Sequence, residues 1–314
     1  MAEAGGRRSD ELLLELLRNL ELFGYRFVTP TPETHRRFLA REPGRRASGL
    51  RDIFGWSLPF AREAIPERLF ELLSGASMVE EEAGLFRSRI RVSSLEGRLF
   101  LHSAYPTDRQ DAVFFGPDSY RFVRFVLDEL GRVADVRRLV DIGAGAGAGA
   151  IAAAARIGDA RLTLTDTNPL ALRFARINAL NAGIAVEVLQ GSGLDPVSGD
   201  FDLAIANPPF ILDPARRIYR HGGGAHGAGL SLAWAGAAAR RIAPGGRILL
   251  YSGSAIVAGE DRLEVALRES ISAHQCSLRY QELDPDIFGE QLGEPGYEEV
   301  ERIAAVGAVI EKAA

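Results

Sequence analysis

From about Arg132 onward, short apolar runs alternate with longer segments of mixed apolar and polar residues. A short apolar run bounded by turn residues predicts a buried strand. Five such runs follow: RRLVDI (137–142), RLTLTD (161–166), AVEVLQ (185–190), FDLAIA (201–206) and GRILLY (246–251). The segments GAIAAAARIG, PLALRFARINALNAG, LSLAWAGAAARRIA and EDRLEVALRESISA predict helices, the second closed by Gly183 as a C-cap. Strands alternating with helices predict an α/β fold with a doubly wound, mostly parallel sheet. Two further strands, CSLRYQEL and RIAAVGAVI, flank the acidic DPDIFGEQLGEPGYEEVE, which is too short and irregular for a crossover helix. The sheet is therefore expected to have seven strands and to end as an antiparallel hairpin.

The first 110 residues differ in kind. Helical segments are predicted at 10–22, 33–41, 49–55 and 66–74, followed by the strands RSRIRVSS and GRLFLHS, joined around Leu95 to Gly97. Helices followed by a β-ribbon give the order of a winged helix, a docking module for nucleic acid or protein. The other reading is a lid over the second region, and the near-neutral charge of residues 1–125 favours it. The domain boundaries expected are 1–110 for this helical unit and 111–314 for the sheet.

Composition narrows the class. A chain of 314 residues that is 46% hydrophobic and 25% charged can bury one large core or two modest ones. The net charge of -5 removes a global basic field for gripping nucleic acid, leaving only local arginine clusters such as Arg36/Arg37 and Arg45/Arg46. The lone cysteine, Cys276, excludes an internal disulfide and a cysteine-based zinc site, which suits a reducing cytoplasm. Glu11 and Glu15 interrupt the N-terminal leucine run, so it reads as an amphipathic helix and not as a signal peptide. No apolar run is long enough to span a membrane. His221 and His226 have no carboxylate or cysteine beside them, and no metal is expected.

Candidate chemistry sits at the ends of the predicted strands. In LVDIGAGAGAGAIAAAARIG a strand precedes Gly143 and an alanine-rich helix follows Gly149, so Gly143, Gly145 and Gly147 occupy the strand-to-helix turn of a βαβ unit. Such a turn lets a ligand approach the backbone, and the helix start offers free N–H groups. The spacing alone also satisfies a dinucleotide fingerprint. Asp166 ends the second strand, where a carboxylate can accept both hydroxyls of a ribose; it could equally cap the helix that begins near Pro169. The fourth strand ends in Asn207-Pro208-Pro209-Phe210. Proline cannot extend a sheet ladder, so this turn is rigid and holds an amide beside an aromatic ring.

In this order, the glycine turn, the acidic end of the second strand and NPPF after the fourth resemble the class I S-adenosylmethionine-dependent methyltransferases. The resemblance covers roughly 110 to 310. Within that group the chain is similar to the small-domain amino-methyltransferases, which include the release-factor glutamine enzymes and those that methylate exocyclic amines of RNA and DNA bases. The resemblance implies S-adenosylmethionine as cofactor, contacted by Asp141, Gly143, Gly145, Gly147, Asp166 and Ser192, and by Phe115, Asp118 and Ser119 in VFFGPDSYRF (113–122). Ser192 stands where relatives usually carry an acidic adenine contact, and Asp195 is the other candidate there. Asn207, Pro208 and Phe210 are the implied catalytic residues: two oxygens to grip the acceptor N–H bonds, and a ring to stack on its plane. The glycine-rich YRHGGGAHGAGLSL (219–232) implies a loop near the acceptor. The acceptor is left open among a nucleic-acid base, a protein glutamine and a small-molecule amine. A non-catalytic winged-helix regulator that binds the same cofactor is a rival from another class. A nicotinamide dehydrogenase shares the glycine turn but leaves NPPF unexplained.

Overall fold

The computed structural model of the chain describes residues 2–131, 136–213, 215–217, 219–224 and 226–314. Arg132, where the alternation is expected to begin, and Ala225 of the glycine-rich stretch lie outside the described residues.

The N-terminal part comprises α1 (Ala2–Leu22), α2 (Pro32–Ala40), α3 (Leu50–Phe54) and α4 (Glu67–Gly75), then the hairpins β1 (Val79–Glu82) with β2 (Leu85–Ser88), and β3 (Ile90–Leu95) with β4 (Arg98–Ser103). Leu13, Leu16, Leu17 and Leu20 of α1 fall at helical spacing and are fully buried, as an amphipathic helix requires. The β3–β4 ribbon is buried along nearly its whole length, so it is not presented as an exposed wing.

The remainder is α5 (Pro117–Leu130), β5 (Arg138–Ile142), α6 (Ala148–Ile157), β6 (Arg161–Asp166), α7 (Pro169–Asn181), β7 (Glu187–Gln190), β8 (Phe201–Ala206), α8 (Gly229–Arg241), β9 (Ile242–Val257), β10 (Glu260–Asp261), α9 (Arg262–Ser272), β11 (Cys276–Asp284) and β12 (Arg302–Lys312). The main path of the sheet runs β7-β6-β5-β8-β9-β12-β11, with short β10 turned back on β9 as an eighth strand. From β7 to β9 every pairing is parallel, and β12 is antiparallel to both its neighbours. The expected α/β class, seven-stranded path and antiparallel ending are all present. Among the described residues no helix is long and apolar enough to cross a membrane.

Alternate residues of each strand serve opposite faces. Leu139, Leu203 and Ile205 join the core that includes Ile151 of α6 and Phe174 of α7, whereas Val140, Ala204 and Ala206 join the one under α8 and α9. The first core continues without a break into the N-terminal helices and the β3–β4 ribbon. Asn178 of α7 stitches this junction. It accepts the Leu101 N–H at 2.8 Å and donates to the carbonyls of Leu101 at 3.1 Å and Ala146 at 2.9 Å, tying β4 to the turn that follows β5. Arg173 of α7 adds an ion pair to Asp10 of α1 at 2.5 Å.

Candidate active site

The parallel strands β5, β6 and β8 end side by side, and the loops that leave them enclose a cleft of about 260 Å³. Crevices outside the carboxyl ends of a doubly wound sheet are where ligands bind.

The turn from β5 to α6 forms one wall. Gly143, Gly145 and Gly147 all have left-handed φ, of 69°, 54° and 80°. Their surroundings give them three different roles. A Cβ on Gly143 would lie 2.4 Å from the Trp234 ring, one on Gly147 would lie 3.1 Å from Ala175 of α7, and one on Gly145 would meet nothing within 4 Å. Gly145 therefore exposes backbone to the cleft, and Gly143 lets the Trp234 indole close over the turn. Gly147 lies between the cleft-lining Ala146 and Ala148 and lets α6 approach α7.

Two carboxylates hold this turn. Asp166 accepts the N–H groups of Gly145 at 3.0 Å and Asn168 at 2.8 Å; burial raises its pKa, opposed by those same N–H groups. Each oxygen keeps a lone pair for a ligand hydroxyl. Asp141 accepts the Ala150 N–H of α6 at 3.0 Å, and burial pushes its pKa up to about 7, with the charge of Asp166 adding to the rise. The Asn168 side chain, not Asp166, caps α7, accepting the Leu170 N–H at 2.9 Å.

The NPPF turn forms the opposite wall. Asn207 is half-buried and lines the cleft, and among the described residues no hydrogen-bond partner meets its amide. Pro208 lines the cleft beside it. Phe210 also lines the cleft but is mostly packed: it is 7% exposed, lies against Gly253 of β9, and meets Tyr251 and Phe288 edge-on at 6.3 and 5.8 Å. The glycine-rich stretch is fitted to this turn. A Cβ on Gly222 would lie 2.5 Å from the Pro209 carbonyl oxygen, and one on Gly227 would lie 2.2 Å from that of Phe210. The backbones bond directly, Ile211 N–H to Arg220 C=O at 3.2 Å and Gly222 N–H to Ile211 C=O at 2.9 Å.

Phe115, Asp118, Ser119 and Ser192 also line the cleft. Three of them are occupied by the protein itself. Phe115 stacks on His102 at 5.1 Å, the Ser119 hydroxyl accepts the Gly116 N–H, and Asp118 accepts the Tyr251 hydroxyl at 2.7 Å. Burial raises the Asp118 pKa despite that bond and nearby Arg121. Ser192 faces the cleft, whereas Asp195 is exposed and not part of its lining.

Sequence reasoning missed Trp234, Phe114, Tyr219, Arg220 and Phe288, all of which line the cleft. Phe114 and Tyr219 lie parallel, with centroids 5.9 Å apart, and the Tyr219 hydroxyl donates to the Thr107 carbonyl at 2.5 Å. Together they join the loops on either side of the cleft mouth. A tryptophan in an otherwise small-residue helix, LSLAWAGAAARR, was the one available sequence signal.

Residues 122–254 match the family described as the methyltransferase small domain. Three relatives illustrate the likeness. The release factor glutamine methyltransferase of Deinococcus radiodurans is 31% identical over 176 residues, 52% of this chain and 62% of that protein. The ribosomal protein L11 methyltransferase of Pelotomaculum thermopropionicum is 39% identical over 101 residues, 32% of this chain and 27% of that one. The ribosomal RNA small subunit methyltransferase C of Pseudomonas entomophila is 32% identical over 72 residues, 23% of this chain and 22% of that one. The chain thus spans less than two thirds of the length of each of these relatives. The stretch that matches the methyltransferase small domain, residues 122–254, runs from α5 through most of β9 and includes both walls of the cleft.

Proposed function

We propose that the chain is an S-adenosylmethionine-dependent N-methyltransferase whose acceptor is a planar nitrogen, the exocyclic amine of a nucleic-acid base or the side-chain amide of a glutamine. The observation that carries this reading is the presence, in one cleft, of the Asn207 amide, without a partner among the described residues, and the Asp166 carboxylate beside an open glycine turn. The fit to the cofactor rests on three features. Gly145 leaves backbone uncovered, Asp166 retains lone pairs for ribose hydroxyls, and Asp118 and Asp166 supply the acidic surroundings that suit a cation. S-adenosylmethionine, when bound, supplies an electrophilic methyl on a sulfonium.

The chain's own task is then positioning. An amide or exocyclic amine keeps its lone pair delocalised, so its N–H bonds must be held with the lone pair turned out of the plane. The Asn207 side-chain oxygen and the Pro208 carbonyl are two acceptors suited to this. Phe210, locked against Gly253, anchors the backbone of the turn that carries them. Release of one N–H proton to solvent after transfer balances the reaction without a strong base. Residues 1–110 are read as a lid or substrate unit set on the cofactor domain of 111–314, and the lone cysteine suits the cytoplasm.

Calorimetry tests the cofactor: S-adenosylmethionine and S-adenosylhomocysteine are expected to bind, and NAD is not. Incubation with radiolabelled S-adenosylmethionine and a lysate fractionated into RNA, protein and small molecules then finds the acceptor. Binding of NAD without S-adenosylmethionine would overturn the reading.

A further inference from the structure

Arg220 is the only arginine or lysine among the described residues lining the cleft. Its backbone carbonyl accepts the Ile211 N–H at 3.2 Å, which places it directly beside the NPPF turn. Its charge is only partly neutralised there. The carboxylate it pairs with, Asp213, is buried and already taken by Arg217, whose Nε and Nη2 reach its two oxygens at 2.9 and 2.5 Å and whose backbone N–H adds a bond at 2.8 Å. Arg220 stands 3.9 Å from the same carboxylate, so two guanidiniums share one negative charge. The Arg220 guanidinium lies 6.0 Å from the centre of the Phe288 ring, and its side chain is 20% exposed. It is thus held in place, mostly dry, and open to the cleft.

We propose that Arg220 docks an oxyanion, a carboxylate or a phosphate, carried by the same molecule that presents the nitrogen to Asn207. A guanidinium fork binds either group through paired charge-assisted hydrogen bonds, strongest where water is largely excluded. The surplus positive charge beside NPPF contrasts with Asp166 beside the glycine turn. A cationic cofactor and an anionic acceptor are thereby sorted to their own sides. The inference rests on the methyl-transfer reading for the identity of the acceptor side, while the docking of an anion by Arg220 can be measured without turnover.

The test uses the full chain saturated with S-adenosylhomocysteine and two pairs of probes that differ only in the anion. They are N-acetylglutamine against its methylamide, and adenosine 5′-monophosphate against adenosine. In at least one pair the charged member should bind about tenfold or more tightly than its neutral twin. Which pair shows the preference tells a carboxylate from a phosphate. Arg220→Gln should remove the preference and Arg220→Lys should keep part of it, with melting temperature and S-adenosylhomocysteine affinity as in wild type. Equal or undetectable binding of both twins in both pairs overturns the proposal, as does a preference that survives Arg220→Gln. If S-adenosylhomocysteine itself fails to bind, the methyl-transfer reading falls, and the same comparison on the bare protein still decides Arg220.

Discussion

Asp141 offers a direct test of how the glycine turn is held. Its carboxyl is buried beneath the turn, accepts the Ala150 N–H at 3.0 Å, and titrates at about 7 against an ordinary value of 3.8. Because the folded value is raised, the folded protein carries a proton that the unfolded chain has lost between about pH 4 and about pH 7. Stability contributed by the neutral carboxyl is therefore fully present below the unfolded value, declines as pH rises through this window, and is gone above about 7. At 1.36 kcal/mol per pH unit the difference amounts to about 4 kcal/mol. Asp141→Asn keeps an oxygen to accept the Ala150 N–H and removes the titration. Any cost of its extra amide hydrogens is the same at every pH. Urea unfolding followed by the fluorescence of Trp56 and Trp234 should show the variant gaining several kcal/mol on wild type between about pH 4 and about pH 8. Asp118 and Asp166 titrate in both proteins, so their contributions largely cancel in the difference. A stability difference that does not change with pH would refute the assignment of a buried, largely neutral Asp141.

Two further outcomes separate cofactor binding from chemistry. Asp166→Ala should weaken S-adenosylmethionine binding at least tenfold by calorimetry, on the scale of about 1.5–3 kcal/mol for hydrogen bonds to a charged group; unchanged affinity in a folded variant would leave Asp166 only its bonds to Gly145 and Asn168. Asn207→Ala should lower kcat by roughly 10²–10³, the scale for one preorganised contact in a transition state, with cofactor affinity and melting temperature unchanged. Normal turnover in that variant would reduce NPPF to a turn.

The features legible in the sequence were those written into one contiguous stretch. The glycine turn, Asp166 and NPPF announce themselves locally, because strand ends, left-handed backbone and proline stops leave residue signatures. Phe288 left none, since it enters the cleft from an element distant in sequence, through packing that no periodicity encodes; Trp234 left only its oddity in a small-residue helix, and Arg220 only its place in the 219–232 loop. The β1–β2 hairpin was missed for another reason. Its VEEE strand is mostly exposed and carries no apolar alternation, while Ala83 and Gly84 turn the chain with positive φ. The extension of β9 from the expected 246–251 to Ile242–Val257 reflects tertiary demands: pairing with β12 on one edge, and with β10 near its end and with Phe201 of β8 at its start on the other.

Phe210 lines the cleft and also anchors the turn that carries it. A ring after two prolines suggests a stacking surface, but Gly253 leaves a hollow on β9, and the ring fills it. A Cβ at Gly253 would lie 2.4 Å from Phe210 Cδ2, so the hollow exists only because residue 253 has no side chain. From the other side, Gly222 and Gly227 bring a second backbone flush against the carbonyls of Pro209 and Phe210. The turn is thus clamped between a strand and a loop, each at glycine. Such a clamp fixes the backbone of the turn relative to β8, and with it relative to the glycine turn on neighbouring β5. Under the proposed methyl transfer, which needs orientation more than a base, rigidity at this turn would be the asset, because misplacement of about 1 Å can cost about 10²-fold in rate.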